Sequence, residues 1–334
     1  MARIAIIGLG LIGGSLGLAI KAANRKGVEI VGSDEHGRVR KQARNLGAVD
    51  DTQSDPRKAV EGAGLVIIAT PPVATAEVFQ TIAPALAKGA AVTDVASTKR
   101  QIMEWAREYL PTYVSFVGGH PMAGKTDQGI ANAEAGLFQG RPYAVVPSTN
   151  AGEDAVRSVL GMVQTIGAKE RFMTADEHDE YVGAVSHLPL LSSLTLFSML
   201  RQSDSWADFG KIAGPAFSDL TRLVSGDPQM STDIAITNRE RVQYWLDRYI
   251  LELKRTRDLL DGPAEDIYKE FAEAQVNHAR FLAGEDLDDL PRLEPPPDGG
   301  AQMAALLISP KIYDRLRGII KRMEEPAEQP GQRR

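Results

Sequence analysis

The 334-residue chain contains no cysteine, which excludes disulfides, thiolate metal centres, iron–sulfur clusters and a cysteine nucleophile in one step. It has no excess of positive charge: 38 Lys and Arg stand against 44 Asp and Glu, a net charge of −6. Neither nucleic acid nor an anionic membrane surface is therefore an expected partner. Long unbroken apolar runs are also missing. The stretch 4–20 is interrupted by Gly8, Gly10, Gly13, Gly14 and Gly17 and has only Arg3 as a preceding charge, unlike a signal peptide. The stretch 183–200 holds His187, Pro189 and four serines, and reads as a buried helix rather than a membrane span. What remains is a cytoplasmic globular protein, long enough for two domains at roughly 100–200 residues each. There is no internal repeat, and no metal site is expected.

Short apolar runs at 3–7, 28–33, 65–69, 90–94, 114–117 and 143–146 alternate with amphipathic stretches. That alternation predicts an α/β fold, a doubly wound parallel sheet with helices on both faces. A helix at 152–166 and a strand at 170–173 complete a first domain, 1–173. Beyond Thr174 the pattern turns to long helical periods, notably 176–200 and 234–260, which predict an all-α second domain, 174–284. Residues 285–300 are acidic and proline-rich, so 285–334 reads as a flexible connector and short tail, with one amphipathic helix candidate at 313–323.

The first run leads directly into Gly8-Leu9-Gly10-Leu11-Ile12-Gly13, a G-x-G-x-x-G turn between a strand and a helix. Gly8 permits the tight turn, Gly10 lets backbone approach a pyrophosphate, and Gly13 allows close helix–strand packing. Leu11 and Ile12 lie at the helix N-terminus that faces the phosphates. The second strand ends at Asp34, 21 residues after Gly13, where a carboxylate accepts hydrogen bonds from ribose hydroxyls and repels a 2′-phosphate. The cofactor predicted for this Rossmann domain is NAD rather than NADP. The alternative for Asp34 is a helix cap or turn residue, and Arg38 or Arg40 could tolerate a phosphate. Thr70 and Pro71 follow the third strand and Ser97 the fourth, at the same carboxyl edge of the sheet.

Val114–Val117 runs into Gly118-Gly119-His120-Pro121-Met122-Ala123-Gly124. Of five histidines, His120 is the one that this pattern delivers to the presumed ligand crevice, with glycines clearing space beside it. His36, His178 and His278 are assigned no role.

Taken together, GLGLIGGS (8–15), DVASTK (94–99), GGHPMAG (118–124), SHLP (186–189) and SDLTRL (218–223) resemble the prephenate/arogenate (cyclohexadienyl) dehydrogenase family of tyrosine biosynthesis, over roughly residues 3–284. The resemblance implies oxidative decarboxylation of a cyclohexadienol, with hydride passing to NAD. It implies that His120 helps remove the ring-hydroxyl proton, that Ser97 shares that contact, and that Arg222 holds a substrate carboxylate. His187 and Thr126 are further candidates for substrate binding. The family also implies a homodimer through the helical domain.

Two departures bear on the substrate. Leu190 follows SHLP where many prephenate-using members carry a second histidine, and Thr126 replaces a glutamate found in some of them. Both point toward an arogenate or dual-substrate member. Lys125 could attract a keto-acid carboxylate, and the fifty or so residues after Gly284 are too few for a regulatory module of the kind fused in some members. Two other readings stay open: a β-hydroxyacid-type NAD dehydrogenase, although 176–200 lacks the lysine expected there, and a redox-silent NAD-binding sensor.

Overall fold

A computed structural model describes residues 2–23, 27–125 and 127–285. Thr126 and the connector and tail beyond 285 lie outside the described residues. Packing groups the chain into two compact units, Met1–Tyr249 and Ile250–Arg334. In the second, the end of the helix Arg239–Leu259 lies beside the helix Ala264–Leu282, and Arg255 pairs with both Glu252 and Glu270.

The first unit is built on eight strands: β1 (Ala2–Ile7), β2 (Val28–Ser33), β3 (Asp51–Gln53), β4 (Leu65–Ile68), β5 (Ala91–Asp94), β6 (Ser115–Pro121), β7 (Pro142–Pro147) and β8 (Lys169–Phe172). Their order is β3-β2-β1-β4-β5-β6-β7-β8. Alternation at period two explains the layering. Ile6, Ile30, Leu65 and Ile67 join one buried cluster, while their neighbours Ala5, Ile7, Val31, Val66 and Ile68 join another on the opposite face. Both faces are thus covered by helices, as the uniformly apolar runs require.

The expected all-parallel sheet is corrected at one place. β7 pairs antiparallel with β6, and β8 then pairs parallel with β7. Among the described residues, the segment between β6 and β7 carries only the short turn Ile130–Asn132 and no helical crossover of the kind a parallel return uses; the helix Glu153–Thr165 does provide one for β8. β3, only three residues long and without an apolar run, is not legible in the sequence.

The expected helix 176–200 is observed as Ala175–Val182, a π-helical turn Gly183–His187, and Leu188–Arg201. Thr174 and Glu177 form a reciprocal capping box at its start. Pro189 has no N–H for the preceding turn, and the π turn lies where that regular bond would fall. This helix is long and apolar enough to cross a membrane, yet its expected burial is not observed: Val185 is 72% and Met199 59% exposed. The expected helix 234–260 is also interrupted, with Pro228–Thr237 ending at Asn238 before Arg239–Leu259 begins.

The sheet order reverses between β1 and β4, which opens a crevice at their carboxyl ends. Gly8 there has φ +92°, and a Cβ would come within 2.5 Å of the Ala69 carbonyl oxygen. Gly8→Ala is expected to cost at least the ~1–2 kcal/mol of a left-handed residue. The check is the urea midpoint at unchanged slope; an unaltered midpoint would show that the turn yields freely.

Candidate active site

At the crevice the helix Leu11–Ala22 starts from Gly10 with no side-chain cap and no acidic residue in its first turn. A Cβ on Gly10 would meet nothing within 4 Å, whereas one on Gly13 would lie 2.0 Å from the Gly8 carbonyl oxygen. Gly13 is therefore needed for packing, and Gly10 leaves open space before a positive helix end, which suits a pyrophosphate. Asp34 bridges two turns: Oδ2 accepts the Leu9 N–H at 3.0 Å and Oδ1 the His36 N–H at 2.9 Å. It is thus a turn residue, and each oxygen keeps lone-pair capacity for a further donor. Arg40 is committed to the Asp34 and Glu35 carbonyls.

Asp94 ends β5 and is fully buried. Its Oδ2 accepts the Ala96 N–H at 2.9 Å and Oδ1 the Gly119 N–H at 3.0 Å, and it pairs with the equally buried Lys99 ammonium. One carboxylate thereby joins the loop carrying Ser97 to the strand carrying His120. A Cβ on Gly119 would lie 2.6 Å from both the Asp94 carbonyl oxygen and the Tyr143 hydroxyl. The glycine makes room for these neighbours, not for the imidazole.

His120 sits at the end of β6, 8% exposed. Its Nδ1 lies 2.9 Å from His178 Nε2, and His178 Nδ1 lies 2.7 Å from Asp179 Oδ1. Asp179 Oδ1 also accepts the Lys99 N–H at 2.7 Å, and Oδ2 accepts the Arg100 N–H at 2.9 Å. A carboxylate engaged by N–H donors acts as acceptor, so His178 carries its proton on Nδ1 and accepts at Nε2. His120 Nδ1 must then donate, and the hydrogen-bond chain assigns the free lone pair to His120 Nε2. Burial, with His178, Lys99 and His187 nearby, holds the His120 imidazole well below its ordinary value and hence neutral. The same desolvation lowers His178 against the opposing pull of Asp179.

Two family models match in tandem: the prephenate dehydrogenase nucleotide-binding domain over residues 16–171 and the prephenate dehydrogenase dimerization domain over residues 174–290. The chain is also 33% identical over 275 residues to prephenate dehydrogenase of Bacillus subtilis, covering 81% of this chain and 74% of that one. The chain belongs to the prephenate dehydrogenase family. It is 31% identical over 289 residues to cyclohexadienyl dehydrogenase of Zymomonas mobilis, covering 85% and 98% of the two chains. Among solved structures, prephenate dehydrogenase from A. aeolicus in complex with hydroxyphenyl propionate and NAD+ superposes with a TM-score of 0.78 at 26% identity, covering 84% and 98%.

In this prephenate dehydrogenase family member, the expected site residues fall into distinct groups. Gly8, Gly10, Leu11, Ile12, Gly13 and Asp34 line one turn, and Thr70 and Pro71 follow β4 at the same edge. Ser97 is half-buried beyond β5, and its hydroxyl makes no hydrogen bond among the described residues. His187 is fully buried: Nδ1 accepts from Asn238 Nδ2 at 3.1 Å, Nε2 has no hydrogen-bond partner among the described residues, and the ring lies near the Ser97 backbone. Its imidazole is thus held inside the fold by the Asn238 side chain. Arg222 is exposed at the start of the turn Arg222–Ser225, and among the described residues neither Asp219 nor Asp227 forms a salt bridge with it. Lys125 is paired with Glu134 at 2.7 Å.

His178, Asp179 and Asn238 carry no motif signal that would have marked them. His178 and Asp179 lie in an acidic run that reads as a solvated helix start, and only the packing of that helix against β6 reveals their burial.

The buried imidazoles generate a pH dependence. All three, His120, His178 and His187, are held below the ordinary 6.5 chiefly by desolvation, His187 at about 4. As pH falls the unfolded chain takes up these protons first, so stability is fully present above about 6.5 and is lost toward the folded-state values. For His187 alone the displacement corresponds to on the order of 3 kcal/mol once pH reaches its folded value. Urea midpoints are expected to fall between pH 7 and pH 5; constancy over that range would mean that the histidines protonate freely inside the fold.

Proposed function

We propose that the chain is a cytoplasmic, NAD-dependent dehydrogenase that oxidatively decarboxylates arogenate, prephenate or both, giving tyrosine or 4-hydroxyphenylpyruvate. The observation that carries this reading is the chain Asp179–His178–His120, which leaves a neutral imidazole with its Nε2 lone pair free at the carboxyl edge of the sheet. Membership of the family favours it over a β-hydroxyacid-type enzyme or a redox-silent sensor.

The open Gly10 turn, the uncapped helix end and Asp34 fit a dinucleotide, with Leu11, Ile12, Thr70 and Pro71 around it. A bound NAD would supply the acceptor for the hydride that leaves the carbinol carbon. His120 Nε2 takes the hydroxyl proton as the C–O bond gains double-bond character, and Ser97 orients that hydroxyl. The ring–carboxylate bond then breaks with release of carbon dioxide, its electron pair makes the ring aromatic, and the proton returns from His120 to the phenolate oxygen. Positive charge that develops on His120 is shared through His178 toward the Asp179 carboxylate, which acts as a positioning and charge-balancing group. His187 positions the Ser97 backbone and Asn238 instead of touching substrate.

Arg222, which has no carboxylate partner among the described residues, is assigned to a substrate carboxylate. Its turn is fixed by Ser193 Oγ, which donates to the Leu220 carbonyl at 2.8 Å from the helix that also bears Leu190. Leu190 adds no charge, and Lys125 is already neutralised by Glu134. Both support use of arogenate. Thr126 remains a candidate contact. The apolar residues left exposed along the helix ending at Arg201, among them Tyr181, Val185 and Met199, support a homodimer paired through the helical region.

The test is absorbance at 340 nm with NAD or NADP, and with prephenate and arogenate supplied separately. Reduction of NAD with either substrate is expected; silence with both, in protein that binds NAD, would overturn the reading. His120→Asn is expected to cut turnover by about a hundredfold or more while NAD binding persists. His178→Phe should lower kcat by roughly tenfold or more, again with NAD affinity retained, and an unchanged rate would remove the relay. Arg222→Ala should raise the substrate KM by about tenfold or more; a change confined to thermal stability would make it a structural residue.

A further inference from the structure

Asp233 lies on the helix Pro228–Thr237 and is 1% exposed. Its Oδ2 accepts the Val73 N–H at 3.1 Å, across 160 positions of sequence. Its Oδ1 accepts Gln229 Nε2 at 2.8 Å, one helical turn away, which sets the rotation of the carboxylate. Val73 caps the helix Ala74–Ile82, so its N–H has no intrahelical acceptor and the helix end favours a negative charge there.

The loop that follows β4 reads Thr70-Pro71-Pro72-Val73. Neither proline has an N–H, so beyond Thr70 the first backbone donor that can anchor this loop is that of Val73. Inside the loop, Thr75 Oγ1 donates to the Pro71 carbonyl at 3.3 Å, and the Thr75 N–H donates to the Pro72 carbonyl at 3.2 Å. These bonds shape the loop without fixing its height above the sheet edge. The Asp233 contact comes from a different segment of the fold and does fix it. The same helix reaches the neighbouring loop as well, where Thr237 Oγ1 lies 2.9 Å from Thr98 Oγ1.

We propose that Asp233 is a positioning residue for the dinucleotide, holding the Thr70–Pro71 loop at the height where it meets the cofactor. The helical region thereby contributes to nucleotide affinity through this loop. The cofactor half of this inference rests on the dehydrogenase reading above; the anchoring of the loop does not.

The experiment uses the full chain and three variants, Asp233→Ala, Asp233→Asn and Asp233→Glu. Two readouts are taken: amide hydrogen exchange across 70–82 without nucleotide, and NAD affinity by calorimetric titration. In Asp233→Ala, exchange in this segment is expected to accelerate at least tenfold while β4 stays protected, with NAD Kd raised tenfold or more. Asp233→Asn keeps an acceptor for Val73 and should stay within about threefold of the parent in Kd. Asp233→Glu keeps the charge but displaces it, and should fold and bind NAD several-fold more weakly. KM for the cyclohexadienyl substrate should move less than Kd for NAD. A lowered melting temperature with unchanged Kd in folded Asp233→Ala or Asp233→Glu would overturn the proposal, as would unchanged exchange across 70–82. If the parent itself fails to bind NAD, the dehydrogenase reading fails, and the exchange data still decide whether Asp233 anchors the loop.

Discussion

The Asp179 carboxylate is the interaction on which the rest of the site depends. It accepts two backbone N–H groups at the start of the helix Arg100–Tyr109 and the Nδ1 proton of His178. Its own backbone carbonyl accepts Asn238 Nδ2 at 2.8 Å. An anion at a helix N-terminus is favourable in itself. Here that favourable placement also decides the tautomer of His178, and through it the free nitrogen of His120. A single charge thus links the sheet, the first helix after Thr174 and the protonation geometry of the His120 imidazole.

Asp94 performs a parallel task one layer deeper. Its charge is balanced by Lys99 in a region where neither side chain reaches water. Burial draws the Lys99 ammonium below its ordinary value, and the Asp94 carboxylate opposes that effect. Such a pair is weak evidence for stability, since apolar residues of similar size often do as well. Its value lies in geometry: the same carboxylate takes the N–H groups of Ala96 and Gly119, and so fixes the spacing between the Ser97 loop and the His120 strand.

The glycine turn, the carboxyl-edge loops and the placement of His120 at the end of β6 were legible because each is coded by local backbone chemistry. Gly8 at φ +92° and Gly13 against the Gly8 carbonyl are positions that other residues cannot fill without displacement. The reversal of β7 and the break at Asn238 were not legible. Each depends on where the chain returns in space, which periodicity does not encode. Asn238 is a case in point: its side chain bonds to Asp179 and His187, which lie 59 and 51 positions away.

By itself the sequence determined the doubly wound sheet, the dinucleotide turn and the delivery of His120 to the sheet edge, because apolar period and glycine sterics act within a few residues. Tertiary structure alone decided which neighbours those residues meet. It turned His178 and Asp179 from an apparent solvated helix start into a buried hydrogen-bonded chain with His120, and buried His187 against Asn238. It also brought Asp233 against Val73. The physical reason is that a hydrogen bond between distant segments depends on burial and orientation, and both come into being only when the helices pack on the sheet.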